Sequence, residues 1–257
     1  MNRPIRLLAL NPNTSSEVTD RFVAEARRAA AGRAEISGVT GRFGARIVVR
    51  RAENAIAGHA ALDLLACHAG GFDAVILAIS FDTALAALRE VSPVPVVGIT
   101  AAAVAAAATA GGVGLLTFGE ASRPLYEDLV ASGALGDVVR ATASVPVADA
   151  DGYLAQGALD DKALAAIEGL AGQAGVGAVA LCGAAIVGMA RRLAGRSPLP
   201  LFDGAGPSVE AALALARRGP APAAPVPRFS ACVGLSPELA FLLGGPPPAA
   251  STPSFPT

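Results

Sequence analysis

Residues 73–97 read DAVILAISFDTALAALREVSPVPVV, and residues 177–202 read GAVALCGAAIVGMARRLAGRSPLPLF. Both stretches keep one order: an apolar run, a turn of small residues, an Ala/Leu/Arg-rich stretch, a Pro-x-Pro and a second apolar run. A second pair matches at a similar spacing, IRLLALNPNTS at 5–15 and GVGLLTFGEAS at 112–122. A period of roughly 100 residues is too long for a solenoid and fits two related lobes. Apolar runs alternating with helical stretches predict βαβ units, and their uninterrupted character suits a parallel sheet covered on both faces. The expected fold is α/β, with two pseudo-symmetric lobes, each a parallel sheet flanked by helices, and the active site in the cleft between them.

Outward from these stretches, residues 6–10, 34–39, 74–78 and 94–99 read as strands of lobe 1, with helices over 18–31, 50–69, 83–91 and 101–110. Lobe 2 repeats this, with strands at 113–117, 139–145, 178–181 and 199–202 and helices over 122–132, 162–174, 184–193 and 208–218. Lobe 1 is expected to span 1–99, with 204–244 packing back on it, and lobe 2 to span 100–203. The Pro/Ala-rich segment 219–227 reads as a linker or strap, and 245–257 as a disordered tail.

The chain has 257 residues, 53% of them hydrophobic and only 4% aromatic, so the core is finely divided among Ala, Val and Leu. A net charge of −1 gives no electrostatic reason to expect a nucleic-acid or membrane partner. The Ala run at 101–110 holds Thr109 and ends in Gly111-Gly112, as a buried helix would and a membrane span would not. The N-terminal apolar run is too short for a signal peptide. Three widely spaced cysteines, without a C-x-x-C, argue against a zinc site or a disulfide framework and suit a reducing, cytoplasmic setting.

Ligands collect at the carboxyl ends of strands in parallel α/β sheets. Four turns lie there, at 11–15, 78–82, 117–120 and 182–185. Their polar residues are Asn11, Asn13, Thr14, Ser15, Ser80, Asp82, Thr117, Glu120 and Cys182. Helix N-termini beside them favour a carboxylate or other small anion. Ser15 also reads as an N-cap, and Asp82 and Glu120 as helix-start carboxylates. Cys67 and Cys232 read as core, and His59 as a surface residue that would serve as a general base only if it lined the cleft.

The pieces LNPNTS (10–15), DAVILAISFDTALAALRE (73–90) with PVPVVGI (93–99), ALCGAAIVGMA (180–190) and PLPLFDG (198–204) resemble the Asp/Glu racemase superfamily, and within it the hydantoin and allantoin racemase branch. The resemblance covers most of the chain, from Arg6 to about Leu243. It implies a cofactor- and metal-free enzyme acting on a small molecule, with two cysteines, one per lobe, on opposite faces of the substrate. Oligomers are common in the family, so a homo-oligomer is a further expectation. A matched pair is what racemisation needs: one group removes a proton from carbon and the other returns one to the opposite face.

The sequence departs from that pattern. In lobe 1 a gapless match places Ile79 where the cysteine is expected, with Ser80 next to it. In lobe 2 the same matching places Gly183 there, whereas anchoring on the Cys-Gly pair places Cys182. The Glu that often follows Gly-Ile in this branch is replaced by Thr100-Ala101. The expectation is a racemase-like enzyme moving a proton at an activated carbon of a small carboxylate or cyclic ureide. Cys182 would be an acid/base, and Asn11, Asn13, Thr14, Ser15, Ser80, Thr117 and Gly183 would bind substrate. The alternatives are a single-cysteine decarboxylase or lyase and a non-catalytic anion-binding homologue.

Overall fold

The computed structural model describes residues 3–155, 157–219 and 232–247. Two four-stranded parallel sheets form the framework. In lobe 1 the strands β1 (Ile5–Asn11), β2 (Ala34–Thr40), β3 (Ala74–Leu77) and β4 (Val96–Gly98) lie in the order β2-β1-β3-β4. In lobe 2, β5 (Gly112–Phe118), β6 (Val139–Val145), β7 (Val176–Leu181) and β8 (Leu201–Asp203) lie in the order β6-β5-β7-β8. All four residues of β3 are buried, as its unbroken apolar run requires.

The helices between strands begin and end where local chemistry dictates. Helix α1 (Ser16–Ala30) is capped by Ser15, whose side chain accepts from the Val18 N–H, and it closes on Ala31 in the left-handed region. Helix α2 (Arg51–His68) and α3 (Leu85–Val91) complete lobe 1. Helix α4 (Ile99–Ala107) leaves β4 but packs on β5, β7 and β8 of the other lobe. Lobe 2 contains α5 (Arg123–Ala131), α6 (Ala150–Leu154), α7 (Asp160–Ala171) and α8 (Met189–Leu193). Helix α9 (Ala205–Arg218) leaves β8 and packs on α1, β3 and β4 of lobe 1, and against α4. The lobes thus exchange helices. One apolar cluster runs from Leu8, Val75 and Leu77 through Ala103 and Val104 to Val113, Leu115 and Ala180, so they share a core.

The repeat is visible atom by atom. Ala78 N donates to Leu10 O at 2.8 Å, and Cys182 N donates to Leu116 O at 2.9 Å. The Ser92 hydroxyl donates to Val94 O and that of Ser197 to Leu199 O, at 2.6 and 2.7 Å. Pro95 O and Pro200 O each accept from a β-strand amide, Val75 and Val179, at 2.9 Å. These pairings make Asn11 the counterpart of Thr117, Ala78 that of Cys182, and Ile79 that of Gly183.

Three expectations need correction or bounds. Helix α6 was not foreseen. Cys232, read as core, is exposed, because the segment before α10 (Pro237–Leu242) runs over the surface and leaves Val233 89% exposed. Most of the 219–227 strap and of the 245–257 tail lies outside the described residues. No helix among the described residues is long and apolar enough to cross a membrane.

Candidate functional site

The two turns that follow β3 and β7 have one backbone plan. Ile79 precedes a 3-10 turn, Ser80–Asp82, and Ala84, in the left-handed region at φ 57, starts α3. Gly183 precedes a 3-10 turn, Ala184–Ile186, and Gly188, at φ 88, starts α8. Each turn is covered by the opposite lobe: α5 packs on the turn of lobe 1, and α1 on the turn of lobe 2. The Phe81 and Tyr126 rings meet 4.6 Å apart across that contact. Both turns therefore face the inter-lobe cleft.

Four protic side chains converge there: Ser80 from lobe 1, and Tyr126, Tyr153 and Cys182 from lobe 2. Burial pushes the Cys182 thiol well above its ordinary range, and the Asp82 charge pushes it further, so the protonated form is favoured at neutral pH. Its Sγ–H points at Ala180 O, 3.6 Å away. Burial also raises both phenols, Tyr153 to about 12, while the neighbouring Ser80 hydroxyl opposes the shift. The approach of Ser80 to Tyr126 falls short of a formed hydrogen bond, and the buried Tyr126 Oη has no partner among the described residues.

Asp82 is only 6% exposed, and its two oxygens accept from Thr100 N at 2.9 Å and Ala101 N at 2.7 Å. It caps α4, not the helix of its own turn. Gly98 makes room for it, since a Cβ there would lie 2.4 Å from the Asp82 carboxyl carbon. Burial raises the carboxyl to about 6, against the pull of the two amides. Glu120 is exposed and pairs with Arg123.

The other expected ligand residues stay within their own lobes. Asn11 is fully buried, and its Nδ2 donates to Asn13 Oδ1, Ser15 O and Thr19 Oγ1 at 2.8–3.1 Å. Asn13 Oδ1 also accepts from Ser15 N at 2.9 Å, and Thr14 N donates to Ala45 O at 3.1 Å. Thr117 Oγ1 donates to Ala143 O at 3.2 Å. In this conformation the NPNTS turn and Thr117 organise strand ends, and Asn11 and Thr117 have no proton left to offer a ligand.

Beside the protic cluster lies a cavity of about 400 Å³. Arg46, Ile47, Val49 and Arg50 line it from lobe 1, and Phe118, Gly119, Val147 and Tyr153 from lobe 2. Three arginines tie the lobes around it. Arg46 pairs with Asp151 at 2.7 Å and Arg51 with Asp128 at 2.7 Å. Arg21 donates to Ala185 O at 2.5 Å and to Leu154 O at 2.8 Å. Arg50 is exposed and pairs with no carboxylate among the described residues. A smaller cavity of about 280 Å³, between Glu25, Arg191 and Asp203, lies away from the cluster.

The Asp/Glu/Hydantoin racemase model matches residues 7–212, which is most of the chain. The chain belongs to the Asp/Glu/hydantoin racemase family. Among solved structures, an allantoin racemase from Klebsiella pneumoniae is 24% identical with a TM-score of 0.77, over 98% of this chain and 97% of that one. An allantoin racemase from Pseudomonas fluorescens is 27% identical with a TM-score of 0.76, over 88% of this chain and 99% of that one. An arylmalonate decarboxylase shares the fold at 13% identity and a TM-score of 0.55, over 82% of this chain and 92% of that one. Among curated proteins no sequence matches.

Within this racemase-family chain, sequence reading had singled out Ser80, Cys182 and Gly183, which the structure brings together. It missed Tyr126 and Tyr153. A signal was present: the chain has only two tyrosines, and both stand in the cleft. His59 is exposed on α2 against Phe43, and Cys67 is half-buried on the same helix, so neither joins the cluster.

Proposed function

We propose that this protein is a cofactor-independent enzyme that moves a proton at an activated carbon of a small carboxylate or cyclic ureide held between its lobes. The observation that carries the reading is the cluster of Ser80, Tyr126, Tyr153 and Cys182, enclosed between two strand-end turns and next to a cavity lined by Arg50, which pairs with no carboxylate among the described residues. A carbon beside a carbonyl becomes acidic when fixed donors stabilise the enolate, and hydroxyls in a poorly hydrated cleft are such donors. Cys182 is the proton donor to carbon. It acts once the C–H bond has given its proton to water, or the C–C bond to a carboxylate has broken with loss of carbon dioxide. The S–H bond then breaks as the new C–H bond forms, and solvent reprotonates the thiolate. Arg50 is the cation available to a substrate carboxylate. Ser80 and the Gly183 backbone contact the substrate, while Asn11, Asn13, Thr14, Ser15 and Thr117 hold the strand ends in register.

Racemase-type isomerisation is the family-led form of this chemistry. A specific observation favours a second form, one-sided protonation as in a decarboxylase or lyase. Ile79, 2% exposed and in one apolar cluster with Phe81, Tyr126 and Cys182, holds the position where the resemblance expects the lobe-1 thiol of a matched pair. An apolar wall favours loss of carbon dioxide by desolvating a carboxylate.

The test follows deuterium incorporation and optical rotation together over hydantoins, allantoin, amino acids and substituted malonates. Turnover should fall about 10²–10⁴-fold in Cys182→Ser, the range for removal of a positioned acid. A binder without chemistry would show ligand affinity but no exchange in the parent protein. Rapid exchange that survives Cys182→Ser would sink the assignment.

A further inference from the structure

Residues 79 and 183 hold the same place in the two lobes, yet only one of them has a side chain. Ile79 fills its place and is buried. At Gly183, with φ 145, the corresponding space is already occupied: a Cβ there would lie 2.2 Å from Tyr153 Oη. A hydroxyl from a distant part of the chain thus stands where the side chain of residue 183 would begin.

That hydroxyl is held with care. Tyr153 sits on the short helix α6, which Asp149 caps by accepting from Gly152 N at 2.8 Å. Lobe 1 grips the same helix twice, through Arg46 on Asp151 and through Arg21 on Leu154 O. The ring meets Phe118 edge-on, with centroids 6.4 Å apart. Tyr153 lines the 400 Å³ cavity, and its hydroxyl stands beside Ser80 of the opposite turn. Both lobes therefore fix one phenol at the boundary between the cavity and the protic cluster.

We propose that Tyr153 is a catalytic residue whose hydroxyl, in the place of a side chain at position 183, donates a hydrogen bond to the substrate oxygen on which negative charge develops. The chemistry rests on the proton-transfer reading above; the placement rests on residues 79, 153 and 183 alone. The phenol O–H stays intact, so no further reactant is required. Tyr153 stays protonated throughout the neutral range, so its contribution is flat across neutral pH.

The experiment uses the whole chain labelled with 13Cζ-tyrosine. With two tyrosines the spectrum holds two signals, and Tyr153→Phe identifies one of them. The probes are 5-methylhydantoin and methylmalonate at millimolar concentration, with deuterium exchange and decarboxylation followed in parallel. A probe should shift the Tyr153 signal. Tyr153→Phe, which keeps the ring against Phe118 and should keep the melting temperature, should lower kcat about 10²-fold with little change in KM. Turnover that survives Tyr153→Phe within about threefold would overturn the role of Tyr153 and leave the proton-transfer reading standing. A shifted Tyr153 signal with no turnover of any probe would overturn the enzymatic reading and support Tyr153 as a ligand contact. No shift with either probe overturns the placement.

Discussion

The turn after β3 and the turn after β7 share one order of elements, a 3-10 turn and then a left-handed residue that starts a helix, but differ in backbone angles and in nearly every side chain. Lobe 1 has Phe81, Asp82 and Ala84 at positive φ, a conformation that L-residues adopt at a cost. Lobe 2 uses Gly183 and Gly188 at its positive-φ positions. Lobe 1 closes its turn with buried Ile79 and a buried carboxylate, Asp82. Lobe 2 leaves position 183 without a side chain and brings in Tyr153 beside Cys182. A duplicated order of elements therefore does not imply a duplicated chemistry. Of the four protic side chains, Tyr126, Tyr153 and Cys182 come from lobe 2, while lobe 1 contributes the Ser80 hydroxyl, a buried isoleucine and three residues at positive φ held in place by their surroundings.

That contrast can be tested by substitution. The largest structural effect belongs to the apolar wall, Ile79. Ile79→Ala should cost about 2–5 kcal/mol in chemical denaturation, because it opens a cavity in the core that the lobes share. A loss under about 1 kcal/mol would mean that the wall is soft.

Asp82 should give the next effect, as a pH dependence. Its folded-state pKa, about 6, lies above the ordinary range of an aspartate. The fold thus favours the protonated carboxyl, and this contribution is fully present below about pH 4 and lost as pH rises through about 6. Between pH 4 and pH 7 the parent protein should lose about 2 kcal/mol relative to Asp82→Asn. Parallel stability–pH curves for the two proteins would show that the carboxyl is not strained by burial.

Arg21 sets how firmly lobe 1 grips the lobe-2 turn. Arg21→Met keeps the aliphatic stem but leaves Ala185 O and Leu154 O without their donor. A loss of about 1–3 kcal/mol is expected, with faster proteolysis near α6. The smallest effect is a pair of opposite sign. Ala84→Gly should stabilise by about 0.5–1 kcal/mol by relieving the left-handed alanine. Gly188→Ala should destabilise by at least as much, since its φ is 88 and a Cβ would approach Glu25 to 3.0 Å.

The duplicated paragraph made the architecture legible, because strand, turn, helix and Pro-x-Pro recur in order and each piece can bury itself in only one way. Helices α4 and α9 cross between the lobes, an exchange that their own helical stretches do not signal. Helix α6 was not legible. Its five residues begin in the polar stretch Asp149–Ala150–Asp151 and are too few for any periodicity to register. Tyr153 was lost with it. The register at Cys182 was open on paper because two anchorings fit the letters equally well. The strand pairing aligns Cys182 with Ala78 and Gly183 with Ile79. Cys232 was misread because its apolar neighbours in FSACVGL suggested a core segment, while Val233 faces solvent.

The central claim is that protons reach the substrate carbon from the lobe-2 side alone. The most direct measurement turns over a prochiral disubstituted malonate or a single hydantoin antipode in deuterated water and reads the handedness of the deuterated product. The account predicts deuterium on one face only, at a rate that collapses in Cys182→Ser. Equal delivery to both faces, unaffected by that substitution, would contradict it.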